Sequence, residues 1–199
     1  MLPHLICKLL GQLFIGVMMN NRFLLVSTIL IAALFAKWEG ISSVSPVSAK
    51  MDLLNSNIST STIEFTLDGF NLIDASTDKG DAFIAKIEGG ASIMELGSPD
   101  LHQLATSVII PDDKHMEIRV LSSKYKEYKN ILIAPSKGNL SREVNPSEVL
   151  YEWSNVYERD DFFPGKLAEL RDPYILRDNR GQTIVAYPFQ YNPVSKTLR

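Results

Sequence analysis

Apolar and polar positions alternate in short bursts along most of this chain. Ile63, Phe65 and Leu67 alternate with Glu64 and Thr66, and that period of two predicts a half-buried strand. Phe83, Ala85 and Ile87 repeat the pattern between the turn signals Lys79-Gly80 and Gly89-Gly90. Met116, Ile118 and Val120 alternate with Glu117 and Arg119 and predict another strand. Two runs are apolar throughout. Residues 108–110 are a short run that stops at Pro111-Asp112-Asp113, and residues 131–134, which stop at Pro135, have the pattern of a strand buried on both faces. Residues 174–176 and 183–187 flank Asp178-Asn179-Arg180-Gly181 and read as a hairpin. Asp68-Gly69, Gly97-Ser98-Pro99 and Asn192-Pro193 read as turns or breaks, and residues 197–199 look like the opening of a strand with nowhere to go. Helical periodicity is weak, with room for one or two turns in residues 164–170. Short strands with frequent Gly and Pro predict an all-β domain, an antiparallel β-sandwich or open barrel.

The first 49 residues are different. Residues 23–35 form an apolar run of 13 behind Asn20, Asn21 and Arg22, the layout of a signal peptide. The run is shorter than the roughly 20 apolar residues that cross a bilayer. Val47-Ser48-Ala49 supplies small residues before Lys50, which predicts cleavage between Ala49 and Lys50. An uncleaved membrane anchor is the alternative. A second apolar stretch, residues 9–19, lies upstream, and Met18 and Met19 offer later starts. The expected division is therefore residues 1–49 as extension and helical signal segment, 50–60 as a linker rich in Ser, Thr and Asn, and 61–199 as the β domain.

Charge and composition narrow the chemistry. The 199 residues are 45% apolar and 22% charged, with net charge −3, which is globular and does not favour a nucleic-acid partner. Residues 1–49 carry Lys8, Arg22 and Lys37 against Glu39, leaving 17 basic and 22 acidic side chains to the other 150. The single cysteine, Cys7, precedes the apolar run, so neither a disulfide framework nor a catalytic thiol is expected. His4, His102 and His115 are too scattered to suggest a metal site, and the last two read as exposed loop residues. Asp112-Asp113 and Asp160-Asp161 read as solvated turns, and no Gly-x-Ser-x-Gly or P-loop motif occurs. Asn57-Ile58-Ser59 and Asn139-Leu140-Ser141 match a glycosylation pattern that is common by chance. No cofactor is expected. By its residues alone, the chain reads as a secreted β domain that binds something without catalysing a reaction.

Longer blocks in the second half carry a resemblance. Val120-Leu121-Ser122-Ser123-Lys124-Tyr125 is followed by Ile131-Leu132-Ile133-Ala134-Pro135-Ser136-Lys137-Gly138, then Ser141-Arg142 and Asn145-Pro146. Phe162-Phe163-Pro164-Gly165, Asp172-Pro173-Tyr174-Ile175-Leu176-Arg177-Asp178 and Gln190-Tyr191-Asn192-Pro193-Val194 come after them, and Lys196-Thr197-Leu198-Arg199 ends the series. From about residue 63 onward the chain resembles the N-terminal propeptide of the gingipain cysteine peptidases. The resemblance implies a β-rich domain that caps the active site of a secreted gingipain-like peptidase, keeps it latent and aids its folding. It implies no nucleic-acid partner, and membrane contact only through the signal segment. In arginine-specific members, the arginine after Ala-Pro-Ser-Lys-Gly reaches the specificity pocket. The matching residue is Arg142, with Lys137, Gly138 and Ser141 in the same loop and Lys137 the rival for a lysine-preferring enzyme. The family continues past the Thr-Leu-Arg segment into final propeptide strands and a peptidase domain. This sequence stops there, so a domain incomplete at its C-terminus and without catalytic Cys and His is expected. A free-standing secreted or cell-surface binding module, or a non-functional remnant, remains the alternative.

Overall fold

The structure is a computed structural model that describes residues 36–199. Residues 1–35 of the predicted extension and helical signal segment, Cys7 among them, lie outside the described residues, whereas Lys37–Gly40, expected in the same segment, form a strand.

The first sheet has three antiparallel strands. β1 (Lys37–Gly40) pairs with β4 (Gly69–Thr77), and β4 pairs with β5 (Gly80–Lys86). The middle strand, β4 (Gly69–Thr77), begins where the sequence suggests only a turn. Phe70 and Leu72 face the main core from it, while Ala75, on the opposite face, packs with Ala82 and Ala134. Gly69 is required beneath Trp38, because a Cβ there would lie 2.2 Å from the indole. β2 (Lys50–Ser56) and β3 (Ser61–Thr66) form a separate hairpin. Composition suggests a linker over residues 50–60, yet β2 is a strand paired at every residue except Leu54, where the register shifts. Its exposure along its whole length is why no apolar pattern marks it.

The second sheet runs β6 (Ala91–Ser92), β7 (His102–Ile109), β10 (Asn179–Ala186) and β8 (Ala168–Leu170), with β9 (Tyr174–Leu176) also on β10. The predicted hairpin is present. Its loop is only Arg177-Asp178, because Asn179 already pairs with Leu176. Residues 164–170 contain β8 and no helix. The one helical element among the described residues is a 3-10 turn, Asn155–Glu158, capped by the Ser154 side chain.

The two sheets share one core. Phe70, Leu72 and Ala85 from the first, with Ile87 just beyond β5, pack with Leu104 and Ala186 from the second, and Leu101, Ile133, Phe189, Tyr191 and Leu198 fill the space between. Phe70 meets Tyr128 and Phe189 edge-on at 5.2 and 5.0 Å. The all-β antiparallel expectation holds.

Three local expectations are corrected. β12 (Thr197–Leu198) pairs with β11 (Tyr191–Asn192) on one side and bridges Tyr128 on the other, and Leu198 is fully buried, so no unpaired edge begins at Thr197. His102 is no loop residue. It opens β7, is buried, and its Nδ1 accepts the Ile87 N–H at 3.3 Å. Residues 116–120 are not a paired strand, and Ile118 and Val120 stand exposed.

Candidate functional site

The loop that carries Arg142 grows out of the core. Residues 131–134 lie parallel to β5: Phe83 donates its N–H to Leu132 O, and Ala134 donates its N–H to Phe83 O, both at 2.8 Å. Tyrosine hydroxyls satisfy three more polar groups of this strip. Tyr191 Oη accepts from Ile133 N–H at 3.3 Å and donates to Ile131 O at 3.0 Å, and Tyr157 Oη donates to Ile133 O at 2.8 Å. Burial pushes the Tyr157 and Tyr191 phenols above their ordinary pKa. Pro135 then bridges Pro99, and the chain leaves the core at Ser136.

Gly97 closes the base of the loop. Its N–H donates to Ser136 O at 2.9 Å and its C=O accepts from Ser154 N–H at 3.0 Å, so one residue holds both ends. Only glycine suits the position. Its φ is +77°, and a Cβ would lie 3.1 Å from Ser154 N. Further out, the Lys137 ammonium donates to Pro146 O at 2.7 Å and lies 4.2 Å from the centre of the Tyr151 ring. Burial, with the Asp100 charge adding to it, pushes the Tyr151 phenol above its ordinary pKa. Trp153 donates its indole N–H to Asp78 Oδ1 at 2.7 Å, and the Lys79 ammonium covers the same ring at 4.3 Å. This fastens the returning arm to the β4–β5 turn. A groove of about 270 Å³ runs under the loop, lined in part by Thr77, Asp78, Lys137, Ser147 and Tyr151.

Two tight turns form the outer loop. Val144 N–H donates to Ser141 O at 3.0 Å, which sets Arg142 and Glu143 at the tip of the first. Glu148 N–H donates to Asn145 O at 3.1 Å around Pro146, and Asn145 Oδ1 accepts from Ser147 N–H and Oγ. Arg142 is exposed, and no ion pair among the described residues uses it. Ser141 is exposed beside it, whereas Gly138, at φ +73°, is folded under Leu96. Lys137 is half-buried and turned inward. The loop thus offers a guanidinium, a planar five-donor group suited to bidentate pairing with a carboxylate.

The other predicted position lies elsewhere. Ala49 donates its N–H to Glu88 O at 3.2 Å and packs on the core, while the Lys50 ammonium pairs with Asp68 at 3.0 Å. The Ser42 hydroxyl and Lys50 together hold the Asp68 carboxyl below its ordinary pKa. β1, on the other side of the Ala49–Lys50 bond, belongs to the first sheet. No group of three or more metal-ligating side chains occurs among the described residues.

The contributions of Gly97, Tyr151 and Trp153 are not readable from sequence. Gly97-Ser98-Pro99 signals a break, but nothing in it indicates that its backbone ties down residues about 40 and 60 positions further along.

Residues 46–199 match the family model described as Propeptide_C25. The chain belongs to this family, the propeptides of the gingipain-type cysteine peptidases. It is 44% identical over 147 residues to Gingipain R2 of Porphyromonas gingivalis strain ATCC 33277, covering 74% of this chain and 20% of that protein. It is 42% identical over 141 residues to Gingipain R1 of the same species, covering 71% of this chain and 14% of that one. The chain therefore matches a fifth or less of the length of these relatives. Among solved structures, it is similar to the complex of Porphyromonas gingivalis RgpB pro- and mature domains. The TM-score is 0.72 at 43% identity, covering 75% of this chain and 78% of that one. A structure described as giving insight into the zymogenic latency of gingipain K from Porphyromonas gingivalis shares the fold at 20% identity. Its TM-score is 0.67, covering 81% of this chain and 92% of that one.

Proposed function

We propose that this chain caps the active site of a secreted gingipain-like cysteine peptidase, keeps it latent and aids its folding, with Arg142 as the substrate-like side chain. The protein acts as a ligand of the enzyme and not as a catalyst. The signal-like segment of residues 23–35 supports action outside the inner membrane. The observation that carries the reading is the position of Arg142. It is exposed, without an ion-pair partner among the described residues, at the tip of a turn whose loop is tied at its base by Gly97. A loop ordered before binding loses little entropy when it docks. An arginine entering an acidic pocket gains a desolvated, bidentate pair.

The test is inhibition of the mature domain of an arginine-specific gingipain by the full chain. Removing one partner of a buried charge pair costs roughly 2–5 kcal/mol, so Arg142→Ala is expected to weaken inhibition by about 30-fold or more. Arg142→Lys should lose part of it, because the fork is gone. Unchanged inhibition by Arg142→Ala would sink the substrate-mimic reading and leave a cap that works through other surfaces.

A further inference from the structure

We infer that Lys137 is the positioning residue of the Arg142 loop: its ammonium latches the loop closed and keeps the protein an inhibitor rather than a substrate. The inference rests on the proposed role of Arg142 and deepens it.

An arginine placed in the pocket of an arginine-specific peptidase invites cleavage of the bond that follows it. Hydrolysis of the Arg142–Glu143 bond would take one water, leaving a carboxylate on Arg142 and an amine on Glu143. For that bond to break, its carbonyl carbon must meet the attacking thiolate in near-attack geometry, and small misplacement costs orders of magnitude in rate. Here the bond lies inside the turn closed by Val144 N–H and Ser141 O at 3.0 Å, not in an extended segment. A single hydrogen bond on an exposed turn is weak, so something beneath it has to hold the arms together.

Gly97 does this only at the base, at Ser136 and Ser154. Between those points the chain would be a long free loop. Lys137 divides it. Its Nζ reaches Pro146 O, nine residues away in sequence, at 2.7 Å, and Arg142 falls midway between them. The same ammonium lies over Tyr151 at 4.2 Å, so the returning arm holds it a second time. Tyr151 is followed two residues later by Trp153, which is fixed to Asp78. The latch is therefore anchored to the β4–β5 turn and not merely to another part of the loop. A lysine is well suited: its charge strengthens the bond to a carbonyl, and its long stem spans the gap between the arms. This arrangement also explains why a basic residue next to a glycine in a presenting loop is turned inward while Arg142 is turned out.

The experiment follows the intact mass of the full chain during incubation with a catalytic amount of the mature domain of an arginine-specific gingipain, alongside inhibition constants at short times. Lys137→Met keeps the stem and removes the donor. It should be cut after Arg142 about tenfold faster than the parent, the worth of one charge-assisted hydrogen bond. Tyr151→Leu should move in the same direction, and Lys137→Arg, which can still donate and stack, should restore slow cleavage. Melting temperatures near the parent's would show that the variants are folded, which separates a latch from a general structural loss. If Lys137→Met and Tyr151→Leu are cut at the parental rate while Arg142→Ala loses inhibition, the latch is wrong and the Arg142 reading stands. If Arg142→Ala inhibits like the parent, the Arg142 reading fails and the latch fails with it.

Discussion

Two stretches of the long connection from β7 to the 3-10 turn are built from similar residues in opposite surroundings. In residues 131–134, Ile133 and Ala134 have no exposure at all, and backbone bonds tie the strip to β5 at Phe83 and to Lys196. In residues 116–121, Ile118, Val120 and Leu121 are 37%, 48% and 74% exposed, and no backbone hydrogen bond among the described residues reaches them. The second stretch is held at its flanks. Upstream, Arg180 donates to Asp112 O and Lys114 O; downstream, Tyr128 bridges Leu198. The difference teaches that apolar spacing describes what a strand can offer to a sheet, while membership depends on an available edge. The first strip finds the free side of β5 and two tyrosine hydroxyls. The second finds neither.

The largest contrast should appear in amide exchange. The Ala134 N–H, bonded to Phe83 O, should exchange slower than the N–H groups of Ile118 and Val120 by on the order of a thousandfold or more, since buried ladder amides open only with much of the domain. Comparable rates would remove the distinction between the two stretches. Truncation should sharpen it next. Ile133→Ala leaves a hole in a fully packed site and should cost about 2–5 kcal/mol, whereas Ile118→Ala should stay within about 0.5 kcal/mol, both read from urea midpoints. A matching loss at Ile118 would mean that this stretch is packed after all.

The smallest effect concerns pH on the buried side. Burial lowers the His102 pKa from its ordinary 6.5, only partly opposed by the Asp100 charge, and Lys86 adds to the lowering. As pH falls, the unfolded chain therefore takes up this proton first. The stability present above 6.5 drains away as pH drops through that value toward the folded pKa. Asp100, raised above 3.8 by burial, works in the opposite sense. Between pH 7.5 and 5.5 the parent's Tm should therefore fall further than that of His102→Gln. Equal falls would show that the imidazole is not the acid-sensitive group.

The sequence reveals those parts of the fold whose pattern is local. β3, β5 and the β9–β10 hairpin are marked by period two and turn residues, and the strip at residues 131–134 by an apolar run ending in proline. β4 escapes detection because polar residues on both its faces, Asn71 on one and Asp74 and Ser76 on the other, interrupt the apolar series, and Asp68-Gly69 looks like the end of an element. β2 escapes because both its faces are exposed. The candidate site divides in the same way. Pro135, Gly138, Asn145 and Pro146 announce a loop, and the family resemblance singles out Arg142. The ties at Gly97, Tyr151 and Trp153 join residues distant in sequence, and no local pattern encodes a pairing at such range.

The two tyrosine hydroxyls on residues 131–133 also index the chain. A strip held only by a ladder could shift along its neighbour and exchange one set of equivalent bonds for another. Here Tyr157 and Tyr191 enter from separate elements and each grips a particular backbone group, so a shift by one residue would strand both phenols in the core. The loop begins three residues beyond Ile133. Fixing that starting point to a single notch fixes how much chain is paid out to the tip, and so how far Arg142 can project.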